Sequence, residues 1–106
     1  MTYRVIVLAP AEADTRRIAH WLAARSPAGS RAWLAAYQSM LESLKSNAAS
    51  FALADENAEF EIDVRQALFK TRKGNPYRAV FTILGEEVRV LRVLGPGQTP
   101  LSQRDV

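Results

Sequence analysis

The residues of this chain whose types suit chemistry are mainly arginines and lysines in its second half. Residues 64–106 hold eight bases and three acids, and seven of the bases lie on or beside predicted strands: Arg65, Lys70, Arg72, Lys73, Arg78, Arg89 and Arg92. Neighbouring antiparallel strands bring such side chains together, and guanidinium groups grip phosphate or carboxylate as a fork. The pattern predicts a basic patch for an anionic partner. A solvated sheet face without a partner would give the same pattern.

Most other kinds of catalytic site lack the residues that they need. The chain has no cysteine, which excludes a disulfide scaffold, a thiolate metal site and a cysteine nucleophile. Its one histidine, His20, is too few for a His-rich zinc site. No metal ion and no organic cofactor is expected.

Length and composition predict one globular domain over residues 1–106. The chain has 106 residues, of which 48% are hydrophobic and 24% charged; this size and balance suit a single folded core. The net charge is +3, and residues 47–63 carry five acids and no base, as expected of a solvated loop beside the basic patch. The sequence shows neither a signal peptide nor an apolar run of the ~18 residues that span a membrane. We expect a cytoplasmic protein.

The first half predicts a strand followed by two helices. The segment from Tyr3 to Leu8 is β-branched and almost continuously apolar, which favours a strand inside the sheet rather than at its edge. A helix follows from Pro10 to Arg25, and Ser26 with Pro27 stops it and starts the next one. This tight connection predicts an antiparallel helix hairpin. The second helix carries an apolar stripe of Leu34, Tyr37, Leu41 and Leu44.

The second half predicts three strands. Apolar residues begin to alternate at Phe60, and strands are expected over Val64–Thr71, Tyr77–Leu84 and Val88–Leu94. Arg89 and Arg92, three apart in the last strand, are expected on opposite faces. Residues 45–58 are not assigned, and the tail 98–106 is expected to be loose. The fold class is α+β, in the order β-α-α-β-β-β: a helix hairpin packed on a mainly antiparallel four-stranded sheet.

Three segments make the chain similar to the RelE/ParE family of bacterial type II toxin–antitoxin toxins. They are TYRVIVLAPAEADTRRIAHWL, the helix ending LESL, and NPYRAVFTILGEEVRVLRVL, and the similarity covers Thr2 to Leu94. The resemblance implies a monomeric or homodimeric toxin that forms a hetero-oligomer with its cognate antitoxin. The long helix hairpin resembles the ParE-like branch, which inhibits DNA gyrase by binding it.

The alternative within the family is a RelE-like mRNA interferase, which cleaves mRNA on the ribosome. Attack by a 2′-hydroxyl needs a base, an acid and cations that stabilise the phosphorane. Arg78 stands where that branch has a functional arginine, and Arg65 matches a basic position on the preceding strand. The family's later arginine falls near Gln98, and no tyrosine follows Tyr77, which weakens this hypothesis. A non-toxic interaction domain of the same fold is the third possibility.

The resemblance also suggests where partners bind. The bases Lys70, Arg72, Lys73, Arg89 and Arg92 are candidates for contacting the target. Toxins of this type expose an apolar groove or a strand edge to their antitoxin. Trp21, Trp33 and Leu34 are the candidates for such a groove, unless they pack between the two helices.

Overall fold

The computed structural model describes residues 2–96, in which four strands and two helices follow the predicted order. These are β1 (Arg4–Val7), α1 (Ala9–Arg25), α2 (Pro27–Asn47), β2 (Arg65–Phe69), β3 (Tyr77–Leu84) and β4 (Glu87–Leu94), with single 3₁₀ turns at Ala48–Ser50 and Asn57–Glu59. The expected α+β order is confirmed. The tail 98–106 lies outside the described residues. Neither helix within residues 2–96 combines the length and the hydrophobicity that crossing a membrane requires.

The connection between the helices is made by the residues that the sequence indicated. Ser26 has extended backbone, so α1 cannot continue through it. Its hydroxyl oxygen then accepts a hydrogen bond from the Gly29 amide at 3.0 Å, which caps α2, and Pro27 occupies the first helical position. Inside the hairpin, the Ser30 hydroxyl donates to the Ala19 carbonyl at 2.8 Å. The sharp turn and this cross-link hold the two helices together.

The four strands form one mixed sheet in the order β1-β4-β3-β2. β1 runs parallel to β4, and the other pairs are antiparallel. β1 is therefore an edge strand, and the expectation that it lies inside the sheet is wrong. Its apolar residues reflect contacts on both faces: Val5 and Val7 pack on the helix side, and Leu8 just after the strand packs on the other side.

The main core lies between the helices and the sheet. The buried face of α2 consists of Ser30, Trp33, Tyr37, Met40 and Leu44. This face is rotated from the predicted stripe, since Leu34 and Leu41 are only partly buried. On β3, Ala79 and Phe81 are fully buried in this core.

The opposite face of the sheet is covered by residues 54–64, which we call the strap. It lies over a second apolar cluster that contains Val64, Val80, Leu91 and Leu94. The predicted strand alternation from Phe60 is wrong, because these residues are irregular. They are held by side-chain and isolated backbone bonds: the Asn57 carbonyl oxygen accepts from the Val64 amide at 2.7 Å, and the Ala54 amide donates to the Val64 carbonyl at 2.7 Å.

Candidate functional site

Arg78, the first candidate catalytic residue, joins the sheet to the strap. Its two terminal nitrogens donate to the two carboxylate oxygens of Glu56 at 2.7 and 2.6 Å, and one also donates to Gln66 Oε1 at 3.1 Å. The side chains of Arg78 and Glu56 are only 19% and 7% exposed. The hydrogen bond to Glu56 raises the pKa of Arg78 above its usual value. The guanidinium is thus held as a buried, bidentate ion pair.

Arg65, the second candidate, lies on the other face of the sheet. It is opposite Phe81 in the ladder, whereas Arg78 is opposite Leu68 and Leu94. Since Arg78 and Phe81 are three residues apart in β3, their side chains belong to different faces. Arg65 Nη1 donates to the Phe51 carbonyl oxygen at 2.6 Å. The structure therefore does not bring the two arginines together.

Arg92 is bound to a buried carboxylate on α1. Asp14, 3% exposed, accepts from Arg92 Nε at 2.7 Å and Nη2 at 2.9 Å, and from the Val93 amide at 2.9 Å. Arg17 adds a fourth hydrogen bond at 2.8 Å. This cluster fastens α1 to β4. Nothing in the sequence indicated this cluster. An acid near the start of a helix, such as Asp14, is already explained by the helix dipole.

A bulge in β4 shifts the pairing register between Arg89 and Arg92. The register shifts between Val80, which lies opposite Arg92, and Phe81, which lies opposite Val90, so that Leu91 is the extra residue. Arg89 lies opposite Thr82. Because Val80 and Thr82 share a face, the register alone would place Arg89 and Arg92 on the same face, although the Arg92 guanidinium reaches Asp14 on α1.

The remaining predicted bases are exposed in two separate places. Arg89 donates to Glu87 Oε1 at 3.1 Å, and Arg4 also bonds Glu87; hydrogen bonds from Arg4 and then Arg89 lower the pKa of Glu87. Lys70, Arg72 and Lys73 are exposed along the β2–β3 connection. The seven bases thus do not form a single patch.

Aromatic side chains line a groove where the end of α1, the start of α2 and the β2–β3 connection meet. We call it the tryptophan groove; its volume is about 390 Å³, and it is lined by Trp21, Arg25, Trp33, Tyr77, Pro96 and parts of the turn 71–75, among others. A second concavity of about 280 Å³ adjoins it through Trp21, Tyr77 and Pro96 and adds Arg17 to the lining.

The three predicted antitoxin contacts have different environments. Trp21 is 51% exposed, and the Arg25 guanidinium lies 3.6 Å above its ring. Trp33 is 2% exposed, and it stacks on Tyr37 with ring planes 1° apart. Its ring therefore belongs to the core, as the alternative prediction of a packed side chain allowed, and it also contributes to the lining of the groove. Leu34 is partly buried against the core.

Within residues 2–96, no group of three His, Asp or Glu side chains is arranged to hold a metal ion. These features define a class: a small basic α+β protein with a helix hairpin on one face of a mixed sheet, an ion-paired strap on the other, and an aromatic groove beside the hairpin turn.

The family follows from comparison with known proteins. The model of the ParE toxin of type II toxin–antitoxin systems, parDE, matches residues 5–99, and the chain belongs to this family. A search of curated proteins and a search of solved structures each found no match. The RelE/ParE resemblance is thereby confirmed, and with it a toxin that has a cognate antitoxin as its partner.

Proposed function

We propose that this toxin arrests growth by binding DNA gyrase, without cleaving RNA, and that its antitoxin neutralises it by direct binding. The proposal rests on the hydrogen-bond partners of the two candidate catalytic arginines. Arg78 is saturated by Glu56 and Gln66, and Arg65 is bound to a backbone carbonyl on the opposite face.

RNA cleavage would need one of these cations to stabilise the charge of the phosphorane. Arg78 would first have to leave a carboxylate that is 7% exposed, and breaking a buried pair costs about 3–5 kcal/mol. A site in which this cost precedes every turnover is poorly preorganised for catalysis. A binding toxin needs no such step, and the buried pair then has a structural role.

The test uses the purified chain in two assays side by side. We expect it to inhibit supercoiling of relaxed plasmid by DNA gyrase and to produce no new 5′ ends in mRNA translated on ribosomes. Arg16→Ala is a matched control, since Arg16 is an exposed arginine of α1. New 5′ ends inside translated frames, lost in Arg78→Ala but retained in Arg16→Ala, would establish an mRNA interferase instead.

Growth after induction of the chain alone distinguishes a toxin from the third possibility, a non-toxic interaction domain. Arrest with intact mRNA and a DNA-damage response supports gyrase as the target. Unimpeded growth, together with unaffected supercoiling, would contradict a toxic function and identify a non-toxic interaction domain.

A further inference from the structure

The basic side chains of this protein differ in whether an acid of the same chain neutralises them. Within residues 2–96, seven bases lie in ion pairs with carboxylates: Arg4, Arg16, Arg17, Lys45, Arg78, Arg89 and Arg92. Five exposed bases of the same range make no ion pair: Arg25, Arg31, Lys70, Arg72 and Lys73. The charge of this second set is therefore not balanced within the described part of the chain.

The five unpaired bases belong to two connections that meet at one end of the molecule. Arg25 and Arg31 flank the turn between α1 and α2, and the other three lie along the connection between β2 and β3. The two connections meet because Arg25 and residues 71, 74 and 75 line the same tryptophan groove. We call this set of five bases the basic end.

Acidic residues are missing from the segments that build the basic end. Residues 15–41 and residues 64–85 contain no Asp and no Glu, and none of the described residues that line the groove is acidic. Side chains of one sign gathered in this way repel one another and create a potential that attracts an oppositely charged partner. The partner of this surface is therefore expected to be an anion.

The composition of the basic end suits a phosphate backbone better than an acidic protein surface. Lysine is depleted in protein interfaces, whose centres are apolar and aromatic. Two of the five bases are lysines, and the exposed Trp21 nearby has the Arg25 guanidinium 3.6 Å above its ring. Exposed arginines and lysines are the side chains that neutralise nucleic-acid phosphates.

The aromatic rings favour a duplex over a single strand. Single strands bind to proteins by stacking their bases on open ring faces. Trp33 is buried, and Arg25 covers one face of Trp21, so this end offers little open ring surface. A duplex keeps its bases stacked on one another and needs only cations for its phosphates.

We propose that the basic end contacts backbone phosphates of the duplex DNA that gyrase holds, so that the toxin binds the gyrase–DNA complex more tightly than gyrase alone. The inference rests on the proposed function, in which gyrase is the target. It adds that the target is recognised partly through its DNA, and it assigns this contact to the two connections at one end of the toxin.

The first experiment measures binding of the full chain to a fluorescent duplex by anisotropy at salt concentrations from about 50 to about 200 mM. The variant Arg72→Ala/Lys73→Ala removes two bases of the basic end. Its control, Arg4→Ala/Arg16→Ala, changes the net charge equally and removes two exposed but ion-paired arginines. Circular dichroism checks that both variants stay folded.

The affinity of the unchanged toxin for the duplex should fall steeply with salt. Each phosphate contact adds about −0.9 to the slope of log K against log salt concentration, so three to five contacts give about −3 to −4.5. We expect Arg72→Ala/Lys73→Ala to make the slope shallower by about 2 and to weaken binding about tenfold or more. The control variant should keep the slope of the unchanged toxin.

The second experiment measures binding of the same proteins to gyrase alone and to gyrase loaded with duplex DNA, by biolayer interferometry. We expect DNA to raise the affinity of the unchanged toxin about tenfold. Arg72→Ala/Lys73→Ala should remove most of this gain, while its affinity for gyrase alone changes less than about twofold, because exposed charges distant from a contact are screened.

The outcomes separate this proposal from the function on which it rests. Equal binding of the unchanged toxin to gyrase with and without DNA overturns the proposal and leaves gyrase as the target. Equal salt slopes in the two double variants overturn the assignment to the basic end. A loss in Arg72→Ala/Lys73→Ala that is the same with and without DNA overturns the proposal in favour of an acidic surface of gyrase.

Two further outcomes are decisive. Tighter binding to a single-stranded oligonucleotide than to the duplex overturns the proposal in favour of a single-stranded partner. No binding to gyrase in either state overturns the proposed function, and this proposal with it.

Discussion

The ion pair between Arg78 and Glu56 should be the main attachment of the strap to the sheet. Arg78→Ala would leave the Glu56 carboxylate, 7% exposed, without its bidentate partner. Removing one member of a buried ion pair typically lowers the free energy of unfolding by about 3–5 kcal/mol. Because the Arg78 side chain is 19% exposed, water can reach the gap, and we expect the lower end, about 3 kcal/mol. For a domain of this size that corresponds to a decrease of about 12 °C in Tm.

Thermal and urea denaturation followed by circular dichroism measure this loss. Arg89→Ala is the matched control, because Arg89 also lies on a central strand and in an ion pair, but is 45% exposed; its cost should stay below about 1 kcal/mol. In the double variant Glu56→Met/Arg78→Met, an apolar pair replaces the ionic one, and most of the stability should return.

Hydrogen exchange measures the loss of stability within the strap itself. The Ala54 amide, which donates to the Val64 carbonyl within the strap, should exchange faster in Arg78→Ala than in Arg89→Ala. The reasoning is refuted if the two single variants lose equal stability, or if exchange in the strap is the same in both.

Three further predictions concern the other buried and paired groups. Asp14→Ala removes the acceptor that joins α1 to β4 and should cost about 3 kcal/mol in urea denaturation; a loss below about 1 kcal/mol would contradict its role as a clamp. Burial raises the pKa of Tyr37 above 10.0, so its contribution to stability is present below pH 10.0 and lost as the pH rises through the folded-state pKa. Tyr37→Phe should reduce the fall in urea midpoint between about pH 8 and about pH 11, and an unchanged fall would count against this. Hydrogen bonds from Arg4 and Arg89 lower the pKa of Glu87 below 4.5, so that its contribution is present above pH 4.5 and lost as the pH falls through the folded-state pKa. Glu87→Gln should therefore flatten the acid side of the stability profile, and an equally steep acid limb would show that this cluster adds nothing.

The elements with strong local signals were predicted to within a residue or two. Ser26 and Pro27 act on their own backbone as a stop and a cap, so they marked the helix hairpin correctly. Gly85, with a φ of 62°, forms the hairpin turn that only a residue tolerant of this conformation makes easily, and β3 has the predicted bounds. The prediction failed at Phe60–Val64, where the alternation of residue types does not correspond to strand pairing: Ile62 is exposed, and only Phe60 and Val64 pack over the sheet.

The candidate site was predicted by residue type but not by arrangement. Trp21 and Trp33 were both selected as large aromatic side chains, yet only the structure shows that Trp21 is exposed and Trp33 is buried in the core. The signal that could have separated them is helical position. Trp33, Tyr37 and Met40 recur about one helical turn apart and therefore share the buried face of α2.

The sequence by itself determined the order of the elements, the helix hairpin, the basic character and the toxin family, because helix caps, turns and apolar periodicity act over a few residues. The tertiary structure alone decided which charges meet. Glu56 reaches Arg78 across 22 residues and Asp14 reaches Arg92 across 78, and one extra residue in β4 shifts the register of its pairing with β3. Such pairings depend on strand register and on how a loop folds over a sheet, and every residue between the partners contributes to both.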